Sequence, residues 1–362
     1  MGLVAGPLPE PTGEAFAPRL ARAIARALDY LHEHQLPNGE FSGYYSPDRP
    51  MQEYCQPDST IFVTALVAEC LLPARPDPRA EAMLAKASVF LEYQMGHGLT
   101  WGHYPRLHPW RQDCPADVDD TCCASVVLRA LGVEYVVHNV PLLLTNRTRQ
   151  GLFYTWILLR PRWNPRPAYW RLTLPELLRP LRSLLFWLRM EANRRDVDAV
   201  VNANALYYLG SRPETQPVIA WLLRLIAENR ETTCDKWYHE AHSVYYFISR
   251  NYRAGITQLA PARQPIIDRI RAAARPDGRL GETVLDTATA VCALLNFGAA
   301  PPELPAAVRY LLQAQERPGN WPRWILYWYG PKELLGHGSE ELTTAFCLEA
   351  LLRYQQATSA GA

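Results

Sequence analysis

One pattern recurs six times along the chain and constrains the fold more than any other feature. An acidic, histidine or Ser/Thr opening is followed by about three turns of small and apolar residues. The copies begin at Asp58 (DSTIFVTALVAECLL), Asp119 (DDTCCASVVLRALG), Asp196 (DVDAVVNANALYYLG), His242 (HSVYYFISRNY), Leu285 (LDTATAVCALLNFG) and Glu340 (EELTTAFCLEALLRY). Such segments are apolar nearly all round, the signature of helices with no solvent face. Between them the sequence turns amphipathic, predicting outer helices over about 17–34, 79–95, 138–149, 215–229, 262–275 and 303–315. Glycine-bearing loops, most of them also carrying an aromatic, such as QLPNGEF, QMGHGLTW, RPDGRL and QERPGNW lead to the next buried helix. Six buried helices alternating with six amphipathic ones describe an all-α chain forming a single (α/α)6 barrel over residues 1–362. Residues 157–194 depart from the repeat as an inserted segment. No strand run competes with this reading.

Inner helices of such a barrel run the same way, so their N-termini share one end. That end collects Asp58, Asp117, Asp119, Asp120, Asp198, His242, Asp286, Glu340 and Glu341. Capping of free backbone N–H groups accounts for acids at helix starts, and it is the expectation for Asp58, Asp286 and Glu340. Asp117-Val-Asp119-Asp120-Thr121 offers more carboxylates than a cap requires. Crowded acids beside a buried helix raise one another's pKa, and a carboxylic acid kept protonated in a dry site can donate to a poor base. Alone, the motif is also compatible with a metal-binding or solvated cluster.

Basic and acidic residues number 37 and 36. That balance argues against a dedicated nucleic-acid binder, which carries a clustered basic excess. The N-terminal MGLVAGPLPEPTGEAF lacks the pattern of a secretory signal, and no apolar run reaches the length of a spanning helix. Eight cysteines, several inside helical patterns, then read as reduced core residues, and the expected location is cytoplasmic.

The element DVDDT opening an inner helix of an α/α barrel resembles the DxDD motif of class II terpene cyclases, the squalene-hopene cyclase-like family. Gln315–Trp321 (QERPGNW) resembles that family's recurrent QW motif, with Gln94–Trp101 a looser copy. At this length the chain is similar to the family's monodomain group. The resemblance implies protonation of a terminal alkene or epoxide, followed by cation-driven ring closure of a linear polyprenyl chain: isomerase chemistry. Asp119, at the middle position, is implied as the general acid, with Asp117 and Asp120 setting its protonation. A His or Asn on the next inner helix is implied as its partner. Asn202 and Asn204 stand there; they cannot both face the cavity, and Asn202 is favoured. An inter-helix hydrogen bond in the core is the structural alternative for either.

Carbocations in a dry cavity are stabilised by aromatic faces. Trp101, Tyr207, Tyr208, Tyr245, Tyr246, Phe297, Trp321 and Trp324 lie on inner helices or adjoining loops, and Trp237 and Tyr238 lie on the loop before the fourth inner helix. Most buried aromatics are packing, so only a minority of these is expected to form a wall. Cys234, His239 and His242 share one rim but match no strong zinc spacing. No metal site is expected, and no cofactor beyond Mg²⁺ in the event of a diphosphate substrate. The short form implies a prenylated aromatic or other non-diphosphate, meroterpenoid-like substrate. A basic amphipathic stretch within 171–190, with Arg179, Arg182 and Arg189, fits a helix packed on the barrel or peripheral membrane contact. The competing functions are a carbohydrate-active barrel using paired carboxylates, a Mg²⁺-dependent diphosphate cyclase, and a non-catalytic prenyl-binding toroid.

Overall fold

A helix without a polar face must be surrounded, and a ring of such helices satisfies all its members at once. The computed structural model describes residues 16–160, 164–178, 186–188 and 191–359. In chain order its helices are α1 (Phe16–His34), α2 (Ile61–Leu71), α3 (Pro78–Gln94), α4 (Val118–Ala130), α5 (Val140–Leu143), α6 (Pro167–Leu178) and α7 (Ala199–Leu209). They continue as α8 (Gln216–Ala227), α9 (Ala241–Arg253), α10 (Ala260–Ala272), α11 (Val284–Asn296), α12 (Leu304–Ala314) and α13 (Glu340–Ser359). α2 packs on α4, α4 on α7, α7 on α9, α9 on α11, α11 on α13, and α13 back on α2. The inner ring therefore closes, with the remaining long helices outside it. The fold is the expected (α/α)6 barrel.

The N-terminal ends of the inner helices are tied together by their loops. Ile61 donates its N–H to the His103 carbonyl, Val118 to that of Thr155, and Trp328 to that of Trp237. The same rim carries a four-stranded antiparallel sheet that helical periodicity does not reveal. Its strands are β1 (Tyr44–Ser46), β2 (Gln56–Pro57), β3 (Ile325–Trp328) and β4 (Gly336–Gly338), ordered β2-β1-β4-β3. Tyr44 pairs with Gly338 and Ser46 with Gly336, which joins the loop before α2 to the loop before α13. Strands of two to four residues are too short to show a period-2 pattern. Gly338 is needed there because a Cβ would collide with the Trp324 carbonyl oxygen.

The third outer position departs from the expected helix over 138–149. A 3₁₀ stretch, Glu134–Asn139, leads into the one-turn α5. Thr145 Oγ1 then donates to the Leu142 carbonyl and Asn146 Nδ2 to that of Tyr154, so local side-chain bonds replace helical ones. In the inserted segment, α6 and residues 186–188 are described, and Phe186 and Trp187 pack edge-on against Trp156. Arg179, Arg182 and Arg189 lie outside the described residues. Among the described residues no helix is long and apolar enough to cross a membrane.

Candidate active site

The three aspartates of the motif do three different jobs. Asp117 is the N-cap of α4, its Oδ1 accepting the Asp120 N–H at 2.7 Å. Its own N–H donates to the Trp101 carbonyl, and it bridges to Trp156 across the rim. Asp119, half a turn into the helix, projects into the barrel. Its Oδ1 accepts from Asn204 Nδ2, and its Oδ2 accepts from the Tyr238 hydroxyl at 3.0 Å. Asn204, on α7, in turn accepts through Oδ1 from the Arg250 guanidinium of α9. Arg250 is paired with both oxygens of Glu69, on α2, at 2.6 Å. Four inner helices thus meet in one chain of bonds behind the Asp119 carboxyl.

Burial is the first cause that raises the Asp119 pKa; the bonds from Asn204 and Tyr238 and the charge of Arg250 oppose it. Burial also pushes Asp120 up to about 7, with the Asp119 charge adding to it and the bond to Asp117 opposing. Asp117 is raised well above the carboxylate range, first by burial and then by the charge of Asp120. Asp120 Oδ1 is buried without a hydrogen-bond partner.

In front of Asp119 lies a cavity of about 60 Å³ walled by Phe62, Trp156, Trp237, Tyr238, Tyr327 and Tyr329, with His103, Cys114, Thr155 and Val201 completing it. The rings meet edge to face: Phe62 and Tyr327 at 5.5 Å and 85°, Trp156 and Trp237 at 5.8 Å and 85°. A second hollow of about 260 Å³ adjoins it, sharing Tyr329 and lined also by Tyr45, Asp58, Tyr104 and Trp110. Below the cavity the barrel axis is filled by Glu69, Arg250, Tyr246 and Glu349, the last accepting from the Tyr246 hydroxyl at 2.9 Å.

That filling explains which expected residues reach the cavity. Trp237 and Tyr238 are on its wall; the other eight aromatics are not among its lining residues. Trp101 and Trp321 are fully buried and donate Nε1 to the carbonyls of Leu91 and Leu311, each at 2.8 Å, pinning their loops to outer helices. Tyr207 lies against the Arg250 guanidinium at 4.5 Å. Tyr208 donates to Asn139 Oδ1, Tyr245 to Glu231 and Tyr246 to Glu349. Phe297 sits at the far end of α11 against Tyr252, and Trp324 packs on the core. The wall comes largely from rim loops and sheet, since only groups near the helix starts can reach it.

Asn202 does not touch Asp119, contrary to the preference from sequence. It accepts from the Phe153 N–H and donates to the carbonyls of Phe153 and Asp198. The repeat contains a signal for this. Thr64, Thr121, Thr287 and Thr344 each accept a loop N–H, from Phe41, Trp101, Leu280 and Trp321. Asn202 occupies the fourth helical position, as Thr64, Thr121 and Thr287 do, and takes the same loop-anchoring role.

Two expected caps also differ. Thr60 caps α2, while Asp58 accepts from the Tyr329 hydroxyl at 2.6 Å and faces His108 Nε2 at 3.1 Å. Ser339 Oγ accepts the Leu342 N–H at the start of α13, and Glu340 pairs with Arg323 instead. Asp286 does cap, in a box with Thr283. Cys234, His239 and His242 do not converge: the Cys234 thiol faces the Glu231 carbonyl, and His239 bridges Glu333 and the Lys236 carbonyl. Among the described residues no group of three or more metal-ligating side chains is poised to hold an ion.

No protein-family model and no curated protein sequence matches the chain. Solved structures do. A protein from Actinoplanes superposes with a TM-score of 0.66 at 19% identity, covering 94% of this chain and 99% of its own. The type II terpene cyclase MstE from Scytonema gives 0.64 at 16% identity over 94% and 99%. An unsaturated glucuronyl hydrolase specific for heparin gives 0.53 at 11% over 95% and 99%. At such identities the likeness is one of architecture. The chain has the (α/α)6 fold that a terpene cyclase and a sugar hydrolase both use, and its chemistry has to be argued from its own site.

Proposed function

We propose that this protein is a class II, protonation-initiated terpene cyclase with Asp119 as general acid. The observation that carries the reading is Asp119 itself: an acid facing an aromatic-walled cavity, with both its oxygens held by donors. Burial raises its pKa and so favours the protonated form. When it gives its proton to a terminal alkene or epoxide, the Asn204 amide and Tyr238 hydroxyl stabilise the carboxylate left behind. Arg250 polarises the Asn204 amide from the far side. The migrating cation passes before ring faces instead of nucleophiles. The substrate is a linear polyprenyl chain on a non-diphosphate head, such as a prenylated aromatic. Structures of MstE variants hold geranylgeranyl dihydroxybenzoate as substrate and merosterolic acid A as product, and the shared fold supports a related substrate class here. Such a chain is larger than the inner cavity, so it extends past Tyr329 into the adjoining hollow.

A sugar-cleaving site needs two carboxylates free to act on one bond. The cavity beside Asp119 is small and walled mainly by aromatic rings, which disfavours that reading. The test is to incubate purified protein with farnesyl and geranylgeranyl diphosphates, their alcohols and prenylated aromatic acids, with and without EDTA. Cyclic product that survives EDTA and disappears in Asp119→Asn and Asp119→Ala, both folded, is the expected result. Activity retained in those variants would remove the proposal, and loss on adding EDTA would point to a diphosphate with Mg²⁺.

A further inference from the structure

A cyclisation begun by a proton and ended by forming an alkene needs a base inside the same dry cavity. We propose that His103 is that base and that Asp120 receives the proton from it. This rests on the cyclase reading. Among the titratable cavity residues, the other candidates are committed or protonated. Asp117 holds the Asp120 N–H, and Asp119 is the donor. Burial pushes the Cys114 thiol and the Tyr238, Tyr327 and Tyr329 hydroxyls upward, so they carry protons. His103 remains, an imidazole on the wall whose pKa burial lowers.

Its position is fixed from several sides. Its carbonyl accepts the Ile61 N–H at the start of α2. Its ring meets Tyr327 edge-on at 5.7 Å, and Nε2 faces the Tyr327 hydroxyl at 3.5 Å, too long to occupy the lone pair fully. Nδ1 faces Asp120 Oδ2 at 3.7 Å. Asp120 is nearly inaccessible to solvent, and its other oxygen has no partner. Such an orphan acceptor is costly in a dry site unless it takes up a proton. Burial lowers the His103 pKa and raises that of Asp120, and both directions favour passing the proton from imidazolium to carboxylate.

The step balances. A C–H bond next to the final cation breaks, its electron pair becomes the new C=C bond, and the proton forms an N–H bond on His103. One proton has then left Asp119 and one has reached the imidazole. Passing it to Asp120, the residue next to Asp119, returns it to the acid cluster with no other reactant consumed.

The test uses whichever substrate the wild-type enzyme cyclises. His103→Gln keeps a polar side chain of similar reach without a base, and His103→Phe keeps a ring; melting curves confirm folding. The first turnover should remain Asp119-dependent. The wild-type alkene should give way to water-captured or isomeric products, and steady-state turnover should fall about a hundredfold. Unchanged product and rate in both folded variants would overturn the assignment. So would loss of the first protonation in both, because a base acts after initiation, and so would a wild-type product that already carries a hydroxyl from water. A wild-type protein that leaves every substrate linear would instead overturn the cyclase reading, and this one with it.

Discussion

Asn202 and Asn204 are two residues apart on α7, and the structure gives them unrelated work. Asn204 joins Arg250 to Asp119, whereas Asn202 holds the Phe153 backbone. Their substitutions should therefore separate activity from stability. Asn204→Ala should lower cyclisation about tenfold to a hundredfold, because Asp119 loses a donor that stabilises its conjugate base. Asn202→Ala should act through folding, losing about 2–3 kcal/mol because buried backbone groups are left unpaired. Initial rates and denaturant midpoints on both variants check this. Asp119 must be protonated to act, so the initiating protonation should fall as pH rises through its folded pKa, which lies above the ordinary carboxylate value. Tyr238→Phe removes one stabilising donor from the carboxylate and should move that fall toward higher pH. A pH–rate profile for each protein measures the shift.

At the scale of elements, three of the repeats join an outer helix to an inner helix through a Gln-Gly-aromatic loop, at Gln35, Gln94 and Gln315. Gln35 Nε2 donates to the Gly39 carbonyl and to Met83 on the adjacent outer helix; Gln315 Nε2 does the same to Gly319 and Ala23. The glycines let the loop touch its neighbour. Gly319 has φ +112°, and a Cβ there would collide with the Arg26 carbonyl. Gly319→Ala should therefore cost about 2–3 kcal/mol, combining backbone strain with the forced displacement of α1. Gly132→Ala, also at positive φ but with open space around it, should cost less. Thermal or denaturant unfolding of the pair separates strain from collision. The same motif explains why aromatic richness misled the site reading: Trp101 and Trp321 are the clasps of this loop.

For the whole molecule, closing the barrel buries acids that an open chain leaves in water. Asp120 titrates near 3.8 in its ordinary environment and at about 7 in the fold. The folded state binds the proton more tightly, so this contribution to stability is complete below the unfolded value and is lost as pH rises through the folded one. Asp120→Asn removes the titration. Relative to wild type, its melting temperature should climb between about pH 4 and pH 7 and level off above. Parallel melts across that range check the sign, and a gap that narrows with rising pH would contradict it.

The sequence by itself determined the barrel, the end at which the inner helices begin, and the presence of surplus acid on α4. Those follow from periodicity and spacing, which act along the chain: an all-apolar helix must be buried, and one cap needs one carboxylate. Only the tertiary structure decided that Asp119 faces the cavity, that Asn204 reaches it, and that the wall is built by Phe62, Trp156, Tyr327 and Tyr329. It also decided that Asp58 binds Tyr329 and faces His108 instead of capping α2. Each of these depends on which residues of different repeats meet at the rim. That depends on closure of the ring and on a sheet pairing residues almost three hundred apart, and neither leaves a local pattern.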